Sequence, residues 1–190
     1  MSKVVLIIGA PNDQSRLNGL VDYTIQQLEK DHVSYEVIKV HELPAEDLIK
    51  ANFNSEKIKA STKKVEEADG VILFTPVYKA TYSGILKTFL DLLPQKGFEN
   101  KIVWPIVIGG SFGHLLAIEY GLNPLLTALG AVHINKGVYA VDQDIARLEN
   151  NRFSLSEGTK VRIQENYDAF QRAISNNIGS LQKVESLLQS

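Results

Sequence analysis

The chain contains 190 residues, of which 44% are apolar and 22% charged, and its net charge at pH 7 is −2. This length corresponds to about one domain, and the composition is that of an ordinary globular protein. The near balance of charges argues against a nucleic-acid-binding protein, which usually carries a basic face. The absence of cysteine excludes disulfides, thiolate nucleophiles and Cys-ligated metal centres.

The amino-terminal sequence argues against export. Its apolar run, Val4–Ala10, is too short to cross a bilayer. The run is followed by Pro-Asn-Asp-Gln and not by a small-residue cleavage site, so a signal peptide is not expected. We therefore expect a cytoplasmic protein that acts neither at a membrane nor on nucleic acid.

Apolar runs of strand length alternate along the chain with segments of helical periodicity. Val4–Ile8 is a continuous apolar run, which is typical of a central parallel strand buried on both faces. The apolar residues of Leu17–Lys30 recur as on the inner face of an amphipathic helix, whereas residues 41–54 are irregular. The predicted strands are Val4–Ile8, Val33–Val40, Val71–Thr75, Ile102–Ile108 and Val132–Val141, and the predicted helices are Leu17–Lys30, Glu56–Ala68, Gly84–Leu93, Leu115–Leu129 and Gly158–Ile174.

Five strands separated by helices predict a doubly wound α/β fold, with a five-stranded parallel sheet and helices on both faces. Residues 1–175 form the predicted domain, and residues 176–190 form a polar carboxy-terminal tail. Ligands of such folds bind beyond the carboxyl ends of the strands. We therefore expect the functional site on the loops that follow the first, third and fourth strands.

The loop after the first strand, residues 9–16, leads into a helix and carries Ser15 and Arg16. A helix amino terminus with a hydroxyl and a guanidinium can bind a phosphate. A second interpretation stays open, in which Ser15 only caps the helix and Arg16 is solvated. The loop lacks both G-x-G-x-x-G and the P-loop pattern, which argues against a dinucleotide fold and a nucleotide triphosphatase.

The loop after the third strand, residues 75–84, is rich in aromatic and backbone-shaping residues. Pro76 fixes a backbone angle and removes a donor. Tyr78 and Tyr82 are flat and amphipathic, so they can flank a planar ring or pack at a subunit contact. Ser83 reads as the start of the following helix.

The loop after the fourth strand, residues 109–114, contains three glycines, which allow backbone amides to approach a ligand closely. His114 is a candidate base or ring contact, or a surface group. The chain has no G-x-S-x-G nucleophile elbow, and its histidines show no metal-ligand spacing. We therefore predict no metal site.

The predicted helix Leu115–Leu129 is too apolar for a solvated helix, so it is either buried within one subunit or packed against another, and we favour an interface between subunits. Tyr120, Gly121 and Pro124 disturb its hydrogen bonding, as in a π-bulge or a proline kink.

Two stretches resemble a known family. Residues 75–94 (TPVYKATYSGILKTFLDLLP) and 105–120 (PIVIGGSFGHLLAIEY) resemble NAD(P)H-dependent FMN reductases, and more closely the alkanesulfonate-type NADPH-dependent FMN reductases of two-component monooxygenase systems. The resemblance covers about residues 3–175. It implies a flavodoxin-like fold, FMN and NADPH as cofactors, and a homodimer or homotetramer.

The resemblance also implies site residues. It places Tyr120 in a π-helical insertion at the tetramer interface near the flavin, and it implies no catalytic side chain. The chain departs from the family in having Ala10 where Ser is common, and Leu17-Asn18 where Ser or Thr often follows. The flavin contacts implied are Ser15 and Arg16 for the phosphate, Pro76, Val77, Tyr78 and Lys79 for the ring with Ser83 nearby, and the glycine loop with Gly109, Gly110 and Ser111. His114, which follows this loop, stays a candidate ring contact on the residues alone.

The activity implied is hydride transfer from NADPH to the N5 atom of FMN. The FMNH2 product would be released to a partner monooxygenase, with sulfonate desulfonation as its reaction. Arg16 and Lys79 are the cations to examine for phosphate contacts. Three alternatives stay open: a quinone or azo reductase that retains FMN, a flavodoxin-like electron carrier, and an interaction domain that binds no flavin.

Overall fold

A sheet of seven strands forms the centre of the computed structural model, which describes the backbone of residues 2–188 and side chains up to residue 181. These strands are β1 (Lys3–Ile8), β2 (Ser34–Lys39), β3 (Gly70–Tyr78), β4 (Thr81–Tyr82), β5 (Ile102–Gly109), β6 (His133–Ile134) and β7 (Val138–Val141). The order across the sheet is β2-β1-β3-β5-β6, with parallel neighbours throughout. β7 also pairs in parallel with β5, and β4 pairs antiparallel with β3.

Helices cover both faces of this sheet. They are α1 (Leu17–Lys30), α2 (Ala45–Ile49), α3 (Glu56–Glu66), α4 (Gly84–Leu90), α5 (Asn123–Ala128) and α6 (Glu157–Leu188), with a π-helix at Ile118–Leu122. Alternate residues of β1 serve opposite layers, because successive side chains of a strand point to opposite faces. Val4 and Leu6 share a core with α1 and α6, whereas Val5 and Ile7 share one with α3 and α4. The predicted doubly wound α/β fold is confirmed.

The sheet has seven strands and not the predicted five. The predicted fifth strand, Val132–Val141, divides into β6 and β7, with Asn135 between them. Asn135 donates from its backbone to Val103 O (2.7 Å) and from Nδ2 to Asn166 O of α6 (2.9 Å), and the strand is interrupted there. The other additional strand, β4, forms because the chain reverses directly after β3.

The segment predicted as one helix, Leu115–Leu129, is helical from residue 117 to residue 128, and its hydrogen-bonding pattern changes along its length. The π-helix occupies its middle, so the predicted bulge is confirmed, and α5 continues directly from it, with helical backbone angles at Leu122 and Asn123. Pro124 follows the π-helix directly, in the first turn of α5, and it lacks the N–H that an uninterrupted α-helix would use at this position.

Three features lie outside the predicted elements. A short helix, α2, falls within residues 41–54, and a hairpin of β8 (Ile145–Arg147) and β9 (Phe153–Leu155) follows β7. α6 continues past residue 175, so the division into domain and tail stays a prediction. Among the helices of the described residues, none combines the length and apolar character that a bilayer crossing requires.

Candidate functional site

The loops after β1, β3 and β5 meet at the carboxyl edge of the sheet. Ile8 of β1 pairs with Phe74 of β3, which pairs with Ile106 of β5, so the three strands run at the same level. Gly9 N donates to Phe74 O (2.8 Å), and Ser83 Oγ donates to Gly9 O (2.7 Å). The structure therefore brings the first two predicted loops into direct contact, with the glycine loop beside them.

Ser83 holds the start of α4 against the loop after β1. Its side chain is buried, and Oγ accepts a hydrogen bond from Leu86 N (3.2 Å), which is the N-cap bond of α4. The Ser83 N–H donates to Thr75 Oγ1 (2.9 Å). The prediction that Ser83 starts a helix is confirmed. Its contact with a flavin stays a prediction, since the hydroxyl already has internal partners.

The loop between β1 and α1 presents Ser15 and Arg16 at the amino terminus of a 14-residue helix. Ser15 Oγ accepts from Leu17 N (3.3 Å), the first N–H of α1, although the N-cap position itself belongs to Arg16. Arg16 is exposed, and its Nε donates to Ile145 O of β8 (3.2 Å). Within the described part of the chain this is the one hydrogen bond of the Arg16 guanidinium, and its terminal nitrogens remain for an anion.

The same loop is fixed from the other side by the last residue of β2 and by residues that follow it. Lys39 Nζ pairs with Asp13 Oδ1 (2.8 Å), and this bond lowers the pKa of the Asp13 carboxyl. His41 Nδ1 lies 3.2 Å from Ala10 O. Asp13, His41 and Glu42 approach one another closely enough for a metal ion, but Lys39 also pairs with Glu42 (3.2 Å) and supplies the positive charge there.

The β3–β4 turn carries an unusual backbone. Tyr78 pairs with Thr81, so Lys79 and Ala80 form a two-residue hairpin turn, and their φ angles are +50° and +71°. Such turns normally use Asn-Gly, because both central residues are left-handed. The left-handed conformation costs about 1–2 kcal/mol per non-glycine residue, and backbone strain of this kind clusters at ligand-binding sites.

The remaining predicted residues of this segment lie along β3. Pro76 is buried and pairs with Ile108 of β5, and Val77 is half-buried. The side chain of Tyr78 is 50% exposed at the edge of the site. A ligand at this edge could therefore contact the side chain of Tyr78 and the turn after it, whereas Pro76 and Val77 could contribute only backbone atoms.

The glycine loop rests on Tyr139 of β7. The Tyr139 hydroxyl donates to Ser111 O (2.8 Å), and a Cβ placed on Gly109 would overlap this hydroxyl and lie 2.9 Å from the ring atom Cζ. Gly110 faces open space, with Asp142 Oδ2 at 4.0 Å as its nearest neighbour. Burial, together with the Asp142 charge, raises the pKa of Tyr139. Tyr139 is not among the predicted site residues, and its signal in the sequence is an aromatic hydroxyl within a buried strand.

An exposed apolar surface borders the glycine loop. Phe112 is 53% exposed and Tyr120, within the π-helix, is 80% exposed. A shallow cleft of about 320 Å³ lies between this surface and the β3–β4 turn, and Ala80, His114 and Tyr120 are among its lining residues. His114 and Tyr120 are thus on the site side of the molecule, as predicted, and the roles of both stay predictions.

The assembled groups match a phosphorylated planar heterocycle. A hydroxyl, a guanidinium and a helix amino terminus favour a phosphate, and the exposed aromatic rings of Tyr78 and Phe112 favour a flat ring. The backbone of Gly109 and Gly110 offers amides without side chains in the way. This donor set fits FMN.

Comparisons with known proteins agree with this chemistry. The family model for NADPH-dependent FMN reductases matches residues 2–146. An FMN reductase (NADPH) of Pseudomonas putida is 39% identical over 173 residues, which are 90% of this chain and 88% of the relative. An FMN reductase (NADPH) of Escherichia coli is 37% identical over 172 residues, 90% of each chain. The crystal structure of an NADH:FMN oxidoreductase in its apo form has a TM-score of 0.81 and 29% identity, covering 91% of this chain and 90% of that one.

Proposed function

Since the chain belongs to the NADPH-dependent FMN reductase family and is therefore an oxidoreductase, we propose that it reduces FMN with NADPH. The observation that carries this proposal is the meeting of a phosphate-type loop, an aromatic hairpin and a glycine loop at one edge of the sheet. FMN supplies the hydride chemistry when it is bound, and the protein supplies binding, orientation and electrostatics.

The loop between β1 and α1 would bind the phosphate of FMN through Ser15, Arg16 and the amino terminus of α1. Hydrogen bonds to a charged group contribute about 1.5–3 kcal/mol each. Lys39 neutralises Asp13, the one acidic residue of this loop, so the Asp13 charge does not oppose the phosphate.

The β3–β4 turn and the glycine loop would hold the flavin ring. Tyr78 and Lys79 lie on the turn, and Gly109, Gly110 and Ser111 supply backbone on the facing side. Backbone donors near the ring would stabilise negative charge on the reduced flavin, because preorganised dipoles stabilise developing charge. The nicotinamide would then stack on the accessible ring face, which supplies proximity.

We propose further that this protein forms a homodimer or homotetramer through the exposed apolar surface that includes Phe112 and Tyr120. Apolar side chains of this size are often buried between subunits, and Tyr120 would there lie close to the flavin. We also propose that the protein acts in the cytoplasm and delivers its reduced flavin to a partner monooxygenase, whose reaction would be sulfonate desulfonation.

The test is NADPH oxidation by the purified protein, followed by absorbance with and without added free FMN. Oxidation that rises strongly with added FMN supports flavin reduction. Oxidation that needs only a quinone or azo dye, by protein that keeps its flavin through purification, would replace the proposal with a quinone or azo reductase. If the folded protein binds FMN but oxidises no NADPH, the result would favour the flavodoxin-like electron carrier.

A further inference from the structure

The β8–β9 hairpin is seated tightly on the first part of α1. The Cβ of Phe153 lies 2.7 Å from the position that a Cβ on Gly19 would take, and Ile145 Cγ2 lies 3.1 Å from it. No other residue fits at position 19 without displacing the hairpin, because real Cβ atoms do not approach other atoms to 2.7 Å. The hairpin therefore touches the same helix whose amino terminus faces the site.

Two arginines form hydrogen bonds that link the hairpin to the loop preceding this helix. Arg16 of the loop donates from Nε to Ile145 O of the hairpin (3.2 Å), and Arg147 of the hairpin donates from Nη2 to Gln14 O of the loop (2.6 Å). The Arg147 guanidinium lies 5.5 Å from the centre of the Phe153 ring, within the range of a cation–π contact. Both guanidinium groups thus join the hairpin to the loop that carries Ser15.

The hairpin has its own support on α6. Ser156 N donates to Asp144 O (2.8 Å), and the Asp144 carboxylate pairs with Arg162 of α6 (3.4 Å). Asp144 precedes β8, so this bridge anchors the base of the hairpin. The hairpin that carries Arg147 is therefore held in place by α6 as well as by α1.

We propose that the hairpin is a clamp on the phosphate-binding loop and that Arg147 is its positioning residue. By holding Gln14 O, Arg147 fixes the loop in the conformation that presents Ser15 and Arg16, and it adds a positive charge next to them. This inference rests on the proposed function, because it assumes that the loop binds the phosphate of FMN. It predicts that Arg147 matters for FMN and not for riboflavin, which lacks the phosphate.

The experiment measures dissociation constants for FMN and riboflavin by quenching of flavin fluorescence, so that it does not depend on turnover. Arg147→Gln should raise the dissociation constant for FMN about tenfold and leave that for riboflavin unchanged. Tenfold corresponds to the loss of one weak charge-assisted hydrogen bond, here the bond from Arg147 to Gln14 O. Arg147→Lys should lose less FMN affinity than Arg147→Gln, since lysine keeps the positive charge. The matched control is Arg152→Gln, which removes an exposed arginine of the same hairpin loop.

A second variant tests the seating of the hairpin. Gly19→Ala adds a methyl group where Phe153 stands, and it should weaken FMN binding in the same selective way while α1 stays helical. Equal loss of FMN and riboflavin binding in Arg147→Gln, or an equal effect of Arg152→Gln, would overturn the clamp. Wild-type protein that binds both flavins equally would overturn the phosphate loop and the clamp together, whereas selective FMN binding without NADPH oxidation would refute only the proposed reaction.

Discussion

Substitution of Gly109 by alanine forces a choice between two groups that occupy the same space. The added methyl group would overlap the Tyr139 hydroxyl, and Tyr139 cannot yield without breaking its 2.8 Å bond to Ser111 O. In Tyr139→Phe that hydroxyl is absent, and the nearest ring atom would lie 2.9 Å from the methyl group. The two substitutions should therefore compensate each other in part.

The magnitudes follow from the two contacts. Overpacking of a core costs about 1–3 kcal/mol, and a lost neutral hydrogen bond costs about 1 kcal/mol, so Gly109→Ala should lower the free energy of unfolding by about 2–4 kcal/mol. Tyr139→Phe alone should cost about 1 kcal/mol. The double variant should cost less than the sum by about 1 kcal/mol or more, because the bond is lost only once and the overlap is smaller.

Urea unfolding of the four proteins measures this coupling, provided that the slope of each transition is unchanged. Gly110→Ala is the matched control: its new methyl group would meet open space, so its cost should stay within about 0.5 kcal/mol. Additive costs of Gly109→Ala and Tyr139→Phe, or a Gly109→Ala variant as stable as wild type, would refute the role of Tyr139 beneath the glycine loop.

Three further expectations concern single side chains. Arg16→Ala should raise the dissociation constant for FMN about tenfold or more, as measured by fluorescence titration, and unchanged FMN binding would remove Arg16 from the site. Ala80→Gly should raise the free energy of unfolding by about 1 kcal/mol and so raise the urea midpoint, because glycine adopts a φ of +71° without strain; a lower midpoint would contradict this. Lys64 and Lys3 hold the pKa of Glu36 below its ordinary value of 4.5, so these ion pairs stabilise the fold above that pH and are lost as the pH falls through the lowered pKa. Glu36→Gln should therefore lose less thermal stability than wild type on acidification, and parallel pH profiles would disprove the assignment.

The fold could be predicted because its central strands, β1, β3 and β5, are buried on both faces. Runs such as Val4–Ile8 and Ile102–Ile108 must be apolar throughout in a parallel sheet with two helix layers. The meeting of the three predicted loops followed from the same topology, since the carboxyl ends of neighbouring parallel strands lie at one edge of the sheet.

The missed features depend on contacts between distant residues. The β8–β9 hairpin contains few strand-forming residues, and its position depends on Gly19 and Gln14, more than a hundred residues earlier in the chain. Tyr139 is connected to the glycine loop only through the fold, and Ser83 bonds to Gly9 across 74 positions. No local pattern encodes such partners, whereas the π-helix could be foreseen because Pro124 acts on its own neighbours.

The bond between Ser83 and Gly9 has a consequence for how a ligand enters. It is buried, and together with the bond from Gly9 to Phe74 it joins the first two walls of the site into one rigid unit. The third wall, residues 111–116, is exposed along its whole length, and the hydrogen bond from Tyr139 to Ser111 ties down its beginning. We therefore expect flavin to enter and leave the proposed site by outward displacement of the third wall. Tyr139→Phe removes the bond that holds the beginning of this wall, so it should accelerate flavin release although Tyr139 is not among the proposed flavin contacts.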